Sequence, residues 1–99
     1  MKKYQKQVDK WFSDKGWNYW HPLGQMTALM EESGELARIV NHLYGEKPKK
    51  LSEEKQELEG EMGDVLYVLI CLANTVGIDL DKAINKTIRK VTTRDKNRY

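Results

Sequence analysis

Apolar residues recur along this chain at intervals of three and four, and no segment sustains the apolar–polar alternation of a half-buried strand. That pattern predicts helices throughout. A first helix over about residues 2–14 uses Val8, Trp11 and Phe12 as apolar contacts and stops at Gly16. After a loop rich in aromatics (Trp17, Tyr19, Trp20, His21, Pro22), a second helix is expected from about Leu23 to Tyr44, ending at Gly45. Gly45 to Lys50, with Pro48 inside, reads as a basic, turn-rich connection. Ser52 is placed to cap a third helix that continues to Val76 and ends at Gly77. Asp79 is placed to cap a fourth over about residues 80–94, with Ile78 as a hydrophobic staple; the polar tail from Asp95 is expected to fray. The expected architecture is all-α: one domain over residues 1–99, built as a four-to-five-helix bundle.

The same periodicity exposes a conflict. At about 100° per residue from Met26, the side chains of Leu29, Met30, Leu36, Ala37, Val40, Leu43 and Tyr44 define an apolar arc of the second helix, which Ile39 extends. Glu32 falls inside that arc, between the directions of Ile39 and Leu43. Glu35 sits at its edge, and Glu31 points toward the side of Arg38. On the third helix Leu58, Met62, Val65, Leu69, Leu72 and Val76 mark the expected core face. Glu61 projects between Val68 and Leu72, and Asp64 borders them. Each helix thus carries a carboxylate pair spaced i, i+3, Glu32 with Glu35 and Glu61 with Asp64, where packing wants apolar atoms.

An ionised carboxylate in such a place needs a cation or strong hydrogen bonds, and four facing carboxylates repel one another. A divalent metal between two antiparallel acidic helices satisfies both demands. Oxygen donors alone, with no Cys and no patterned His, select a hard ion: magnesium first, manganese as a possible substitute. Gly34, Gly60 and Gly63 each cost about 1 kcal/mol against Ala inside a helix, which close approach of the two acidic helices would offset.

Composition narrows the rest. Seventeen Lys and Arg against 15 Asp and Glu is too even a balance to imply a nucleic-acid partner. The signs are unevenly placed, acids over residues 31–64 and bases over residues 82–98. The single cysteine, Cys71, excludes an internal disulfide and reads as a core thiol in a reducing compartment. Met1-Lys2-Lys3-Tyr4 has no apolar stretch behind it, and the longest apolar run, Val65 to Ala73, is too short to span a bilayer. A cytoplasmic protein with no membrane partner is expected. So short a chain buries a small core, and Tyr67, Ile70 and Cys71, off the third helix's expected core face, point to a homodimer or homotetramer.

Glu31-Glu32-Ser33-Gly34-Glu35, a 25-residue spacer and Glu61-Met62-Gly63-Asp64 together resemble the mark of the MazG-type all-α nucleoside triphosphate pyrophosphohydrolases, Glu-Glu-x-x-Glu followed by Glu-x-x-Asp. Glu35-Leu36-Ala37 and Gly63-Asp64-Val65-Leu66-Tyr67 are also family-like, and the likeness covers about residues 20–95. It implies that Glu32, Glu35, Glu61 and Asp64 coordinate magnesium, while Glu31 supports the ligands or orients the attacking water. It also implies hydrolysis of nucleoside triphosphates, standard or damaged, ribo or deoxy, to monophosphate and pyrophosphate.

Substrate contacts are sought beside the acids. In the fourth helix Lys82, Lys86, Lys90 and Arg94 recur every four residues. Lys86, Lys90 and Arg94 match the family's basic closing stretch and are candidates for the triphosphate tail; Lys82 reads as solvated. Ile88 stands where relatives often carry Asn, so no sugar or base contact carries over there. Trp20 and His21 are candidates for stacking on a base and Gln25 for reading its edge, while Trp17 reads more simply as closing the core. Asn74 is a candidate substrate contact but reads more simply as facing solvent or capping a neighbour, and His42 reads as structural. A di-iron bundle would need Glu-x-x-His, which neither His21 nor His42 supplies. A non-catalytic helical interaction module explains the size but not the intruding carboxylates.

Overall fold

Gly16 and Gly77 adopt left-handed backbone, with φ of 68° and 75°, and each ends a helix. The computed structural model describes the backbone of residues 1–45 and 51–98 and the side chains of residues 1–45 and 57–94. Four helices follow in order: α1 (Lys2–Lys15), α2 (Pro22–Tyr44), α3 (Leu51–Val76) and α4 (Leu80–Arg98). The expected basic connection beyond Gly45 lies outside the described residues, as does the Ser52 side chain, while the backbone of α3 is already helical at Leu51, ahead of the expected cap. At the start of α2, His21 Nδ1 accepts from the Leu23 N–H at 3.2 Å. Asp79 Oδ1 caps α4 as expected, accepting from the Asp81 N–H at 2.9 Å. Helix α4 runs one turn beyond its expected end, because no Gly or Pro interrupts residues 82–98.

Helices α2 and α3 form the central pair, and α1 packs across α3. The pair is antiparallel: Gln25 bonds to Thr75 near one end, while Glu32 meets Glu61 further along. The most buried apolar residues are Ile39, Leu43, Ile70, Cys71 and Ala73. This corrects both expected faces. Met26, Met30, Val40 and Tyr44 are exposed, and the face of α2 turned to α3 runs instead through Gln25, Leu29, Glu32, Leu36, Ile39 and Leu43. On α3, Ile70 and Cys71 are covered because α1 wraps its C-terminal half, whereas Met62, Leu66, Tyr67 and Val76 are exposed. The glycine expectation also fails in the single chain. A Cβ at Gly34, Gly60 or Gly63 would meet nothing within 4 Å, so these positions face open space.

A polar lock fixes α1. Buried Gln5 donates from Nε2 to the Ile78 carbonyl at 2.8 Å and to Asn74 Oδ1 at 3.1 Å, and its Oε1 accepts from the Leu80 N–H at 2.9 Å. Asp81 Oδ2 accepts in return from the Lys2 N–H at 3.0 Å. The starts of α1 and α4 thereby cap each other. Beyond that first turn α4 stands away, bent 107° from α3, with every residue from Lys82 to Lys90 exposed. No single helix among the described residues is long and apolar enough to cross a membrane.

Candidate active site

The antiparallel pair carries its acids to one place. Carboxylate oxygens of Glu32, Glu61 and Asp64 lie within 4.8 Å of one another. One oxygen of Glu61 is shut off from solvent and faces no donor among the described residues. The Glu61 carboxyl is pushed up to about 7, first by its hydrogen bond to Glu32, then by desolvation and the charges of Glu32, Asp64 and Glu35. A group that holds a proton this firmly, in a cluster made only of oxygen donors, fits a hard divalent cation. The fourth expected ligand stands apart. Glu35 Oε2 accepts instead from Arg38 Nη2 at 2.8 Å, one turn further along α2.

A pocket of about 580 Å³ opens beside the cluster. Glu31, Glu32 and Asp64 line its acidic end, and Phe12, Trp17, Tyr19, Trp20 and Tyr67 its aromatic walls. Glu31 therefore faces the pocket rather than turning away, as the rotated packing of α2 requires. Tyr19 stacks on Phe12 with centroids 4.4 Å apart, and Trp17 meets Phe12 edge-on at 5.9 Å. The Tyr19 hydroxyl donates to Asp9 and accepts from Asn74 Nδ2 at 2.9 Å, and burial, helped by Asp9, pushes its pKa up to about 12. That phenol is a fixed strut. Cys71 forms part of the lining, its thiol pushed up by burial and so kept protonated.

Gln25 is buried at the pocket wall. Thr75 Oγ1 spends its hydrogen on the Cys71 carbonyl at 2.8 Å, so it accepts from Gln25 Nε2, also at 2.8 Å. This fixes the amide orientation and leaves Gln25 Oε1 buried without a partner among the described residues.

Of the residues singled out from the sequence, Glu31, Glu32, Asp64, Trp20 and Gln25 meet around the pocket, and Glu61 joins Glu32 and Asp64 in the cluster. His21, Asn74, Lys86, Lys90 and Arg94 do not line it. His21 is the cap of α2, and Asn74 spends its amide on Gln5 and Tyr19. The three basic residues stand on exposed α4. Sequence reasoning missed Tyr67 and Asn18 as pocket residues and set Trp17 aside. Tyr67 had a usable signal: it stands three residues after Asp64, on the same helix face. Asn18 carried none.

The comparison with known families decides the class. Residues 21–99 match the model of the MazG nucleotide pyrophosphohydrolase domain. The chain belongs to this family. It is 50% identical to YpjD of Bacillus subtilis (strain 168) over 99 residues, covering all of this chain and 89% of that protein. It is 34% identical to YvdC of the same organism over 96 residues, covering 91% of each. The YpjD crystal structure superposes with a TM-score of 0.79 at 48% identity, covering 95% of this chain and 94% of that one. A Bacillus-conserved MazG protein, described as a nucleotide pyrophosphohydrolase, gives 0.77 at 46% identity, covering 97% and 93%. Membership makes this MazG chain a hydrolase of pyrophosphate bonds with a nucleotide substrate, and the interaction-module reading falls away.

Proposed function

We propose that this MazG chain is a magnesium-dependent, cytoplasmic enzyme that hydrolyses nucleoside triphosphates to monophosphate and pyrophosphate. The observation that carries the reading is the convergence of Glu32, Glu61 and Asp64 at one end of an aromatic pocket of about 580 Å³. Those three carboxylates, with Glu35 as the fourth ligand of the family motif, would hold the ion; manganese would substitute. When bound, the ion screens the phosphates, stabilises charge on the leaving pyrophosphate and eases deprotonation of water.

The remaining work falls to the chain itself. Trp20 and Trp17 offer ring faces to the base, and Gln25 forms the wall behind them, its Oε1, unpartnered among the described residues, buried away from the opening. Water adds across the bond between the α- and β-phosphates, the bridging oxygen leaves with pyrophosphate, and Glu31 at the acidic end orients that water. The exposed bases of α4, Lys86, Lys90 and Arg94, reach a triphosphate tail only if α4 lies over a site, which a second subunit of a homodimer or homotetramer would allow. His21 and Asn74 act at one remove, through the start of α2 and the Tyr19 strut.

The test is pyrophosphate release by the purified protein from a panel of ribo- and deoxynucleoside triphosphates, with magnesium and with EDTA. Magnesium-dependent monophosphate and pyrophosphate from at least one member is the expected result. Release that persists in EDTA, or monophosphate accompanied by two inorganic phosphates, would refute the reaction as written.

A further inference from the structure

Three of the four expected ligands converge and Glu35 does not, and the residue that holds Glu35 is a cation. Arg38 stands three residues beyond Glu35 on α2, so its hydrogen bond turns the Glu35 carboxylate down the helix, away from Glu32. The guanidinium sits close enough to feel Glu57 and Glu61 on α3 as well. It cannot discard its proton, so it leaves this position only by swinging its long, half-exposed side chain aside.

We propose that Arg38 is a place-holding cation that keeps Glu35 out of the acidic cluster and competes with the divalent ion for it. The inference rests on the metal reading above and assigns a residue outside the ligand set to its control. Two effects act in the same direction. Ion entry must exchange the Arg38–Glu35 pair for a Glu35–ion bond, and the guanidinium charge repels the incoming cation. The contrary role for an outer residue is support, in which Arg38 would orient Glu35 toward the ion and raise its affinity. The sign of the effect separates the two. The pair is half-exposed, so the competition is modest, as exposed ion pairs are.

The experiment is Mn²⁺ binding without nucleotide, read by the electron paramagnetic resonance signal of free Mn²⁺, on wild type, Arg38→Gln, Glu35→Gln and the double variant. Arg38→Gln is expected to bind Mn²⁺ about two- to fivefold more tightly than wild type, in keeping with an exposed pair. That gain should shrink in the Glu35→Gln background, since the two residues act on each other. Equal or weaker binding by Arg38→Gln overturns the proposal, weaker binding by showing Arg38 to be a support. Failure of the metal reading itself looks different: no saturable Mn²⁺ binding by wild type or any variant. Because Arg38 is exposed, thermal melts of all four proteins in EDTA should stay cooperative.

Discussion

Glu61 of α3 reaches across the helix pair to Glu32 of α2, their carboxylate oxygens lying within 4.8 Å of each other, and that closeness together with desolvation pushes the Glu61 carboxyl up to about 7. The pH dependence of stability follows. Glu61 binds its proton more tightly in the folded chain, at about 7, than at its ordinary value of 4.5. Between those values the native state carries more protons than the unfolded state, so stability falls as pH rises through the window. Thermal melts in EDTA should show this fall for wild type and not for Glu61→Gln, which keeps the shape and cannot ionise. Magnesium or manganese should reverse the fall in wild type alone, and Glu61→Gln should lose turnover while remaining folded. Equal pH slopes in the two proteins would remove Glu61 as the group behind the fall.

Trp20 lines the pocket while 71% exposed, a large ring held in water beside a polar cluster. Trp20→Ala is expected to raise KM for nucleoside triphosphates about 5- to 10-fold, toward the lower end of what one aromatic contributes to stacking on a base. Binding of inorganic triphosphate, which has no base, should be unchanged. A nucleotide KM that does not move would leave Trp20 without a part in binding.

What could be read from the residues was the class of fold and the chemistry of the acids. Gly16, Gly77 and Asp79 act through backbone geometry local to each helix end, so their effect is visible in a few residues. Glu32 and Glu61 were legible because a carboxylate inside an apolar arc conflicts with packing whichever neighbour it meets. The rotation of each arc was not legible. It depends on which side α1 takes, and that is set by Gln5, whose partners Asn74, Ile78 and Leu80 lie about seventy residues away. Asn74 shows the cost: from the residues alone, substrate contact and a structural role both stay open, and only its bonds to Gln5 and Tyr19 show the structural one.

That long-range lock should dominate the stability of α1 and α4. Gln5→Leu keeps the volume and leaves the Ile78 carbonyl and the Leu80 N–H unpaired near the helix junction. The expected loss is about 2–3 kcal/mol, from two stranded backbone groups. For a domain of this size it corresponds to a fall in Tm of roughly 10–20 °C. Urea unfolding of the two proteins measures it. A loss under about 0.5 kcal/mol, the range of ordinary surface substitutions, would mean that the lock contributes little.

Helix α4 is the part of the chain that its own fold leaves uncovered. The radius of gyration is 16.7 Å, against about 13 Å for a compact chain of this length. Ile84 and Ile88, successive members of one stripe with Leu80 and Val91, are 49% and 51% exposed. A lone 19-residue helix with little apolar burial is marginal in water, so a second copy covering that stripe would supply what the single chain lacks. Sedimentation of the wild type should therefore give a dimer or tetramer of the 11.6 kDa chain. Ile84→Asp combined with Ile88→Asp should shift it toward monomer and reduce helical circular dichroism in proportion to the loss of α4. If the substituted chain keeps the wild-type mass, the stripe is not the interface. A wild type that is monomeric and fully active would rule out an assembly that completes the site, and with it the route by which Lys86, Lys90 and Arg94 reach a triphosphate.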